Sequence, residues 1–137
     1  MNKIKYNLDL IKIMSLFESA TGAKLKDAID GESLIFVVEE SEMGKAIGRN
    51  GSNVRKLESM LNRRIRIVEF ADDAPKFARN LAAPLQLKDV EYNEGALSLY
   101  CADTRTRAML IGRDRKNIGL LTNIIKRYFD IREIKVL

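Results

Sequence analysis

Apolar residues recur along this chain with two different periods, and the changes of period mark out its elements. Leu10, Ile11, Met14, Phe17 and Ala20 follow helical spacing, which predicts an amphipathic helix over residues 7–20 that Gly22 can end. A short strand over residues 23–29 and the turn Asp30-Gly31 lead into Leu34-Ile35-Phe36-Val37-Val38, a β-branched and aromatic run that reads as a buried strand. Residues 41–47 fit a two-turn helix with Ser41 as N-cap. Ser52 caps a longer helix over 53–62, with Val54, Leu57, Met60 and Leu61 as its buried stripe. Ile65 and Ile67 then alternate with polar neighbours, as a half-buried strand requires.

The same order returns in the second half. A helix runs from Pro75, suited to a first helical turn, to about Ala83. Strands at 86–92 and 96–101 flank Asn93-Glu94-Gly95, helices cover 104–111 and 116–128, and a strand spans 131–136. The repeat is visible residue by residue. Ile47-Gly48-Arg49 recurs 64 positions later as Ile111-Gly112-Arg113, and behind it Asn53 matches Asn117, Val54 matches Ile118, Leu57 matches Leu121 and Leu61 matches Ile125. The apolar pattern stops at Phe70-Ala71-Asp72-Asp73-Ala74-Pro75, which places a domain boundary near Asp72 and Asp73 and divides the chain into residues 1–72 and 73–137.

Charge sharpens the picture. The chain has 137 residues and a formal charge of +5, and residues 41–70 and 101–137 carry net charges of +4 and +5 while the remainder is net acidic. The two basic stretches occupy matching places in the two halves, which favours an anionic partner over a merely solvated surface. Cys101 is the single cysteine and histidine is absent, so an internal disulfide, an ordinary zinc site and a Cys–His or Ser–His pair are excluded. Asp9, Lys12 and Glu18 interrupt any apolar segment near the N-terminus, and no stretch approaches a membrane span. A cytoplasmic location is expected, with no membrane contact, small-molecule substrate, cofactor or metal. The segment Gly44–Gly51 lacks the residue order of a P-loop, and the adjacent carboxylates Glu39-Glu40 and Asp72-Asp73 are placed to be solvated rather than to converge. No catalytic residue is therefore assigned, and the chain is not read as an enzyme.

The sharpest candidate is Ile47-Gly48-Arg49-Asn50-Gly51, between two predicted helices. Two glycines three apart permit a sharp turn and close approach of another backbone. The turn opens onto a helix N-terminus, where free N–H groups favour a phosphate, and Lys45 and Arg49 add positive charge. Asn53, Arg55 and Lys56 start the following helix, within reach of phosphate or base edges. Alone, such a turn describes many tight helix–helix connections. Within an αββααβ unit and a basic stretch it says more.

Here the sequence resembles the KH family in its type II arrangement, where the extra helix and strand precede the core. The resemblance implies an α+β fold of two tandem type II KH domains, each αββααβ, with a three-stranded mixed sheet and helices on one face. It also implies a partner and a site. In that family a G-x-x-G loop clamps the backbone of about four nucleotides of single-stranded RNA while bases lie on an apolar groove. Carried onto this chain, Gly48, Arg49, Asn50 and Gly51 form the clamp, and Ile47 and Val54 the groove floor. In the second copy, Gly112-Arg113-Asp114-Arg115, arginine replaces the last glycine and a carboxylate enters the clamp. Gly112, Arg113, Arg115 and Lys116 keep the electrostatic attraction, and this half is expected to bind more loosely or to extend the first site.

The segments Ala74-Pro75-Lys76-Phe77-Ala78-Arg79-Asn80-Leu81-Ala82-Ala83-Pro84 and Lys126-Arg127-Tyr128-Phe129-Asp130-Ile131 are further similar to the archaeal NusA-like family of transcription termination/antitermination factors. That likeness implies RNA contact and leaves RNA polymerase or the transcription complex as an open partner. Two other readings fit part of the pattern. One is a ribosome-associated or ribosome-biogenesis KH protein. The other is a helix-turn-helix DNA reader, which would prefer duplex to single strands.

Overall fold

The computed structural model describes residues 8–137. They fall into two compact units, one ending at Ala71 and the other beginning at Asp72. The fold is α+β, and each unit runs helix–strand–strand–helix–helix–strand.

In the first unit α1 spans Leu8–Thr21, β1 Leu25–Asp30, β2 Leu34–Val38, α2 Met43–Ile47, α3 Ser52–Leu61 and β3 Ile65–Glu69. Asn7, expected as the first residue of the opening helix, lies outside the described residues. Gly22 ends α1 in the left-handed region at φ 72°, its N–H donating to the Glu18 carbonyl at 2.9 Å. The sheet order is β1-β2-β3, with β1 antiparallel and β3 parallel to β2. Period-two alternation sends Leu34, Phe36 and Val38 into one core with Leu10, Phe17, Ala46 and Leu57, against which Ile65 and Ile67 pack from β3. Phe17 and Phe36 stack there with centroids 4.3 Å apart, and burying each ring contributes about 1.5–3 kcal/mol. Ile35 and Val37 point to the other face and are buried too. A strand buried on both faces carries no polar alternation, which is why the run 34–38 is apolar throughout.

Three local expectations need correction. Ser41 does not cap α2: it sits at φ 69°, third in a turn closed by the Glu42 N–H on the Glu39 carbonyl. The residue before α2 is Glu42, whose carboxylate instead accepts the Lys24 N–H at 2.7 Å. Ser52 likewise is inside α3, because the chain enters that helix through Gly51 at φ 74°, ψ 18°. Met60 is 51% exposed. At 100° per residue Val54, Leu57 and Leu61 share a narrow stripe, and Met60 falls at its edge.

In the second unit α4 spans Ala74–Ala82, β4 Leu87–Asn93, β5 Ala96–Cys101, α5 Thr104–Ile111, α6 Lys116–Lys126 and β6 Glu133–Val136. The Asp73 carboxylate caps α4 by accepting the Lys76 N–H at 2.7 Å, ahead of Pro75 in the first turn. Glu94 and Gly95, at φ 49° and 83°, make the tight β4–β5 turn. The sheet β4-β5-β6 repeats the antiparallel-then-parallel pairing of the first. Both first strands also carry a bulge at matching places, where Asp27 and Asp89 each accept the next residue's N–H at 2.8 Å. Phe77 of α4 meets Tyr128 edge-on at 5.8 Å and Phe129 at 6.1 Å, so the ending after α6 is held to the start of the unit.

Candidate nucleic-acid interface

Between α2 and α3 the chain turns in three residues, Arg49–Gly51, and its conformation follows from residue type. Gly48 takes φ 77°, ψ 172°, a region open essentially to glycine. Asn50 and Gly51 take left-handed values of 54°, 30° and 74°, 18°, which asparagine and glycine adopt most readily. The N–H of Gly48 closes α2 on the Gly44 carbonyl at 3.0 Å, and that of Gly51 returns to the Gly48 carbonyl at 3.2 Å. The result is a hydrogen-bonded, outward turn at the foot of α3.

Around it the side chains divide into two groups. Arg49, Asn50 and Lys56 are exposed, and among the described residues Arg49 has no ion-pair partner. Lys45 is 64% exposed and lies 3.8 Å from the carboxylate of half-buried Glu42, a long ion pair. Arg55 is turned back on the loop, its Nη1 donating to the Asn50 carbonyl at 2.6 Å. Asn53 is also engaged inward, its Nδ2 donating to the Lys45 carbonyl at 2.8 Å. Ile47, at 37% exposed, and half-buried Val54 leave apolar surface open beside the turn, while Ala46 and Leu57 anchor α2 and α3 in the core.

The second turn, Arg113–Arg115 between α5 and α6, reproduces the first. Gly112 has φ 76°, ψ 169°, and Asp114 has 55°, 29°. Arg115 stands in the left-handed region at 61°, 23°, where the first loop has glycine. Arginine in place of the last glycine therefore leaves the backbone course of the loop unchanged. An L-residue can occupy this region at about 1–2 kcal/mol, which the surrounding turn must offset. The copies differ beside the loop instead. Ile118, the counterpart of Val54, is only 3% exposed and Ile111 is half-buried, while Met109, in the place of Lys45, is 49% exposed. Arg113, Arg115 and Lys116 are exposed, with Asp114 among them.

Asn117, missing from the sequence-based site, repeats the Asn53 contact: its Nδ2 donates to the Met109 carbonyl at 2.9 Å. The match of Asn53 with Asn117 at the 64-residue offset was the available signal. Other polar groups play local parts. Asp103 caps α5 through the Thr106 N–H at 2.7 Å, and that bond holds its carboxyl below the usual value. Burial raises the Cys101 thiol, opposed by Arg107. Among the described residues no group of His, Cys, Asp and Glu is arranged to hold a metal ion, and no helix is long and apolar enough to cross a membrane.

An exposed glycine-bounded turn joining two short helices against a three-stranded sheet is what the KH motif requires, and the KH domain model matches residues 12–95, a span that includes the first turn. The chain belongs to the KH-domain family. Within it, the chain is 34% identical to the probable transcription termination protein NusA of Methanococcus vannielii, over 98% of this chain and 80% of that one. It is likewise 34% identical to the protein of that name from Halococcus morrhuae, over 92% and 93% of the two chains. It is thus a member of this archaeal NusA-like group. The crystal structure of APE1850 has the same fold, with a TM-score of 0.75 at 24% identity over 96% of this chain and all of that one.

Proposed function

We propose that this chain is a non-catalytic, single-stranded RNA-binding protein of two tandem type II KH domains, residues 1–72 and 73–137, acting as a NusA-like factor in transcription termination or antitermination. The observation that carries the reading is the Gly48–Gly51 turn, exposed, preformed and set at the foot of α3 beside Lys45, Arg49 and Lys56. In this reading the turn holds the backbone of about four nucleotides of an extended strand, and the bases lie on the apolar surface of Ile47 and Val54. Asn50 and Arg55 complete the rim. The turn Gly112–Arg115 with Arg113 and Lys116 is a second basic site that binds more loosely. The transcription role rests on the name its relatives bear, and RNA polymerase or the transcription complex is the partner class that name brings.

Fluorescence anisotropy with labelled single-stranded RNA, duplex RNA and duplex DNA across a salt series tests this. Binding is expected to favour the single strand, with log K falling about 0.7 per phosphate contact against log salt. A preference for duplex would overturn the reading in favour of groove recognition by a helix.

A further inference from the structure

We propose that Asn53, and Asn117 in the second unit, are positioning residues that latch the two helices flanking each turn and thereby set the shape of the loop that holds RNA. The last carbonyls of a helix have no partners within it, and here they are satisfied in one way in both units. The N–H of Gly48 takes the Gly44 carbonyl at 3.0 Å, and that of Gly112 takes the Ala108 carbonyl at 2.9 Å. The next carbonyl, of Lys45 or Met109, is taken by an asparagine amide from the first turn of the following helix, at 2.8 and 2.9 Å, eight residues on in each case. A short hydrogen bond thus crosses the mouth of each turn and ties α2 to α3, and α5 to α6.

The latch also explains which loop position must be glycine. A Cβ built on Gly48 would lie 2.8 Å from Cγ and Nδ2 of Asn53 and 2.9 Å from Oγ of Ser52. On Gly112 it would lie 2.6 Å from Cγ and 2.7 Å from Nδ2 of Asn117. At Gly51 a Cβ meets only the far end of Arg55, Nη1 at 3.3 Å, and the second loop does carry a side chain there, on Arg115. The first glycine is demanded twice before any ligand arrives, by its own backbone at φ 77°, ψ 172° and by the asparagine behind it. The fourth position is free to vary at the expense of backbone strain alone. Both copies keep Ile-Gly-Arg and the pair Gly48–Asn53 or Gly112–Asn117, and only one keeps the second glycine.

The role in binding rests on the RNA reading above, so the test separates the two. In full-length Asn53→Ala, hydrogen–deuterium exchange of the free protein is read at the amides of Gly48 and Gly51, and affinity is read on a panel of short RNAs. Loss of one positioning bond is expected to speed exchange at those two amides about tenfold or more, and to weaken every RNA about tenfold with an unchanged salt slope. Unchanged affinity with only a lower melting temperature would make Asn53 structural and overturn the proposal. Weaker binding with unchanged loop exchange, or a changed base preference, would make Asn53 a direct contact and overturn it equally. Asn53→Asp keeps the side-chain shape but cannot donate; read by exchange alone, it decides the latch if the alanine variant folds poorly. Failure of the wild type to bind RNA would sink the functional reading, and exchange would still judge the latch.

Discussion

Replacing Arg115 by glycine isolates the strain that the second loop carries. Arg115 holds φ 61°, ψ 23° on an exposed turn, between Asp114, also left-handed at 55°, 29°, and α6. An L-residue there costs about 1–2 kcal/mol, which glycine avoids. Glycine gives back roughly 0.4–1 kcal/mol through the greater freedom of its unfolded chain. The net expectation is stabilisation by about 0.5–1 kcal/mol, which for a unit of this size raises the melting temperature by roughly 2–8 °C. Arginine also leaves a crowd of like charges with Arg113 and Lys116, so Arg115→Ala is the control: it removes the same charge and keeps the Cβ. Thermal denaturation by circular dichroism at fixed ionic strength compares the three proteins. Glycine above alanine by this margin is the predicted order. Alanine equal to or above glycine would show that position 115 does not occupy the left-handed region, and the claimed identity of the two loops would fall.

Other outcomes follow from the same geometry. Gly48→Ala should lower stability by about 2–4 kcal/mol in urea titrations, since it combines a glycine-only backbone with displacement of Asn53, whereas Gly51→Ala should cost about 1 kcal/mol; equal effects would remove the asymmetry between the two glycines. Asp103→Ala should destabilise at neutral pH. Because the folded carboxyl titrates below its usual value near 3.8, the capping contribution is complete above that value and fades as pH falls through the lower folded one. A gap between wild type and variant that widens on acidification would contradict the cap. Cys101, raised by burial, should react with a disulfide reagent more slowly at neutral pH than a free thiol, gaining speed only on the alkaline side; fast reaction at pH 7 would show an activated thiolate.

Much of the fold was legible because each element carries its own periodicity. The run 34–38 announced a buried strand, and the spacing of Val54, Leu57 and Leu61 announced α3. What stayed hidden depends on who takes each backbone group. Ser41 and Ser52 carry the side chain of an N-cap, yet Ser41 stands at φ 69° in the turn before Glu42 and Ser52 lies inside α3 behind Gly51, so neither holds the N-cap position. The loop was readable from its glycines, but its fourth position was not. Arg115 looks like a break in the pattern, and only the dihedral angles reveal that the turn is preserved. Asn53 was singled out as polar and near the loop. Its actual acceptor, the Lys45 carbonyl, lies eight residues away through a turn whose shape the sequence does not state.

The central claim, that the Gly48–Gly51 turn grips the backbone of a single-stranded RNA, is tested most directly by Arg49→Asp/Asn50→Asp. This double variant keeps both glycines and the exposed position of the loop while placing two carboxylates where phosphates would sit. Its RNA affinity is compared with wild type by fluorescence anisotropy across a salt series, with circular dichroism confirming the fold. The account predicts that the folded variant loses binding and that the wild-type salt slope is not recovered at low salt. Binding equal to wild type by the folded variant would contradict it, reducing the first loop to a turn and moving the function elsewhere in the chain.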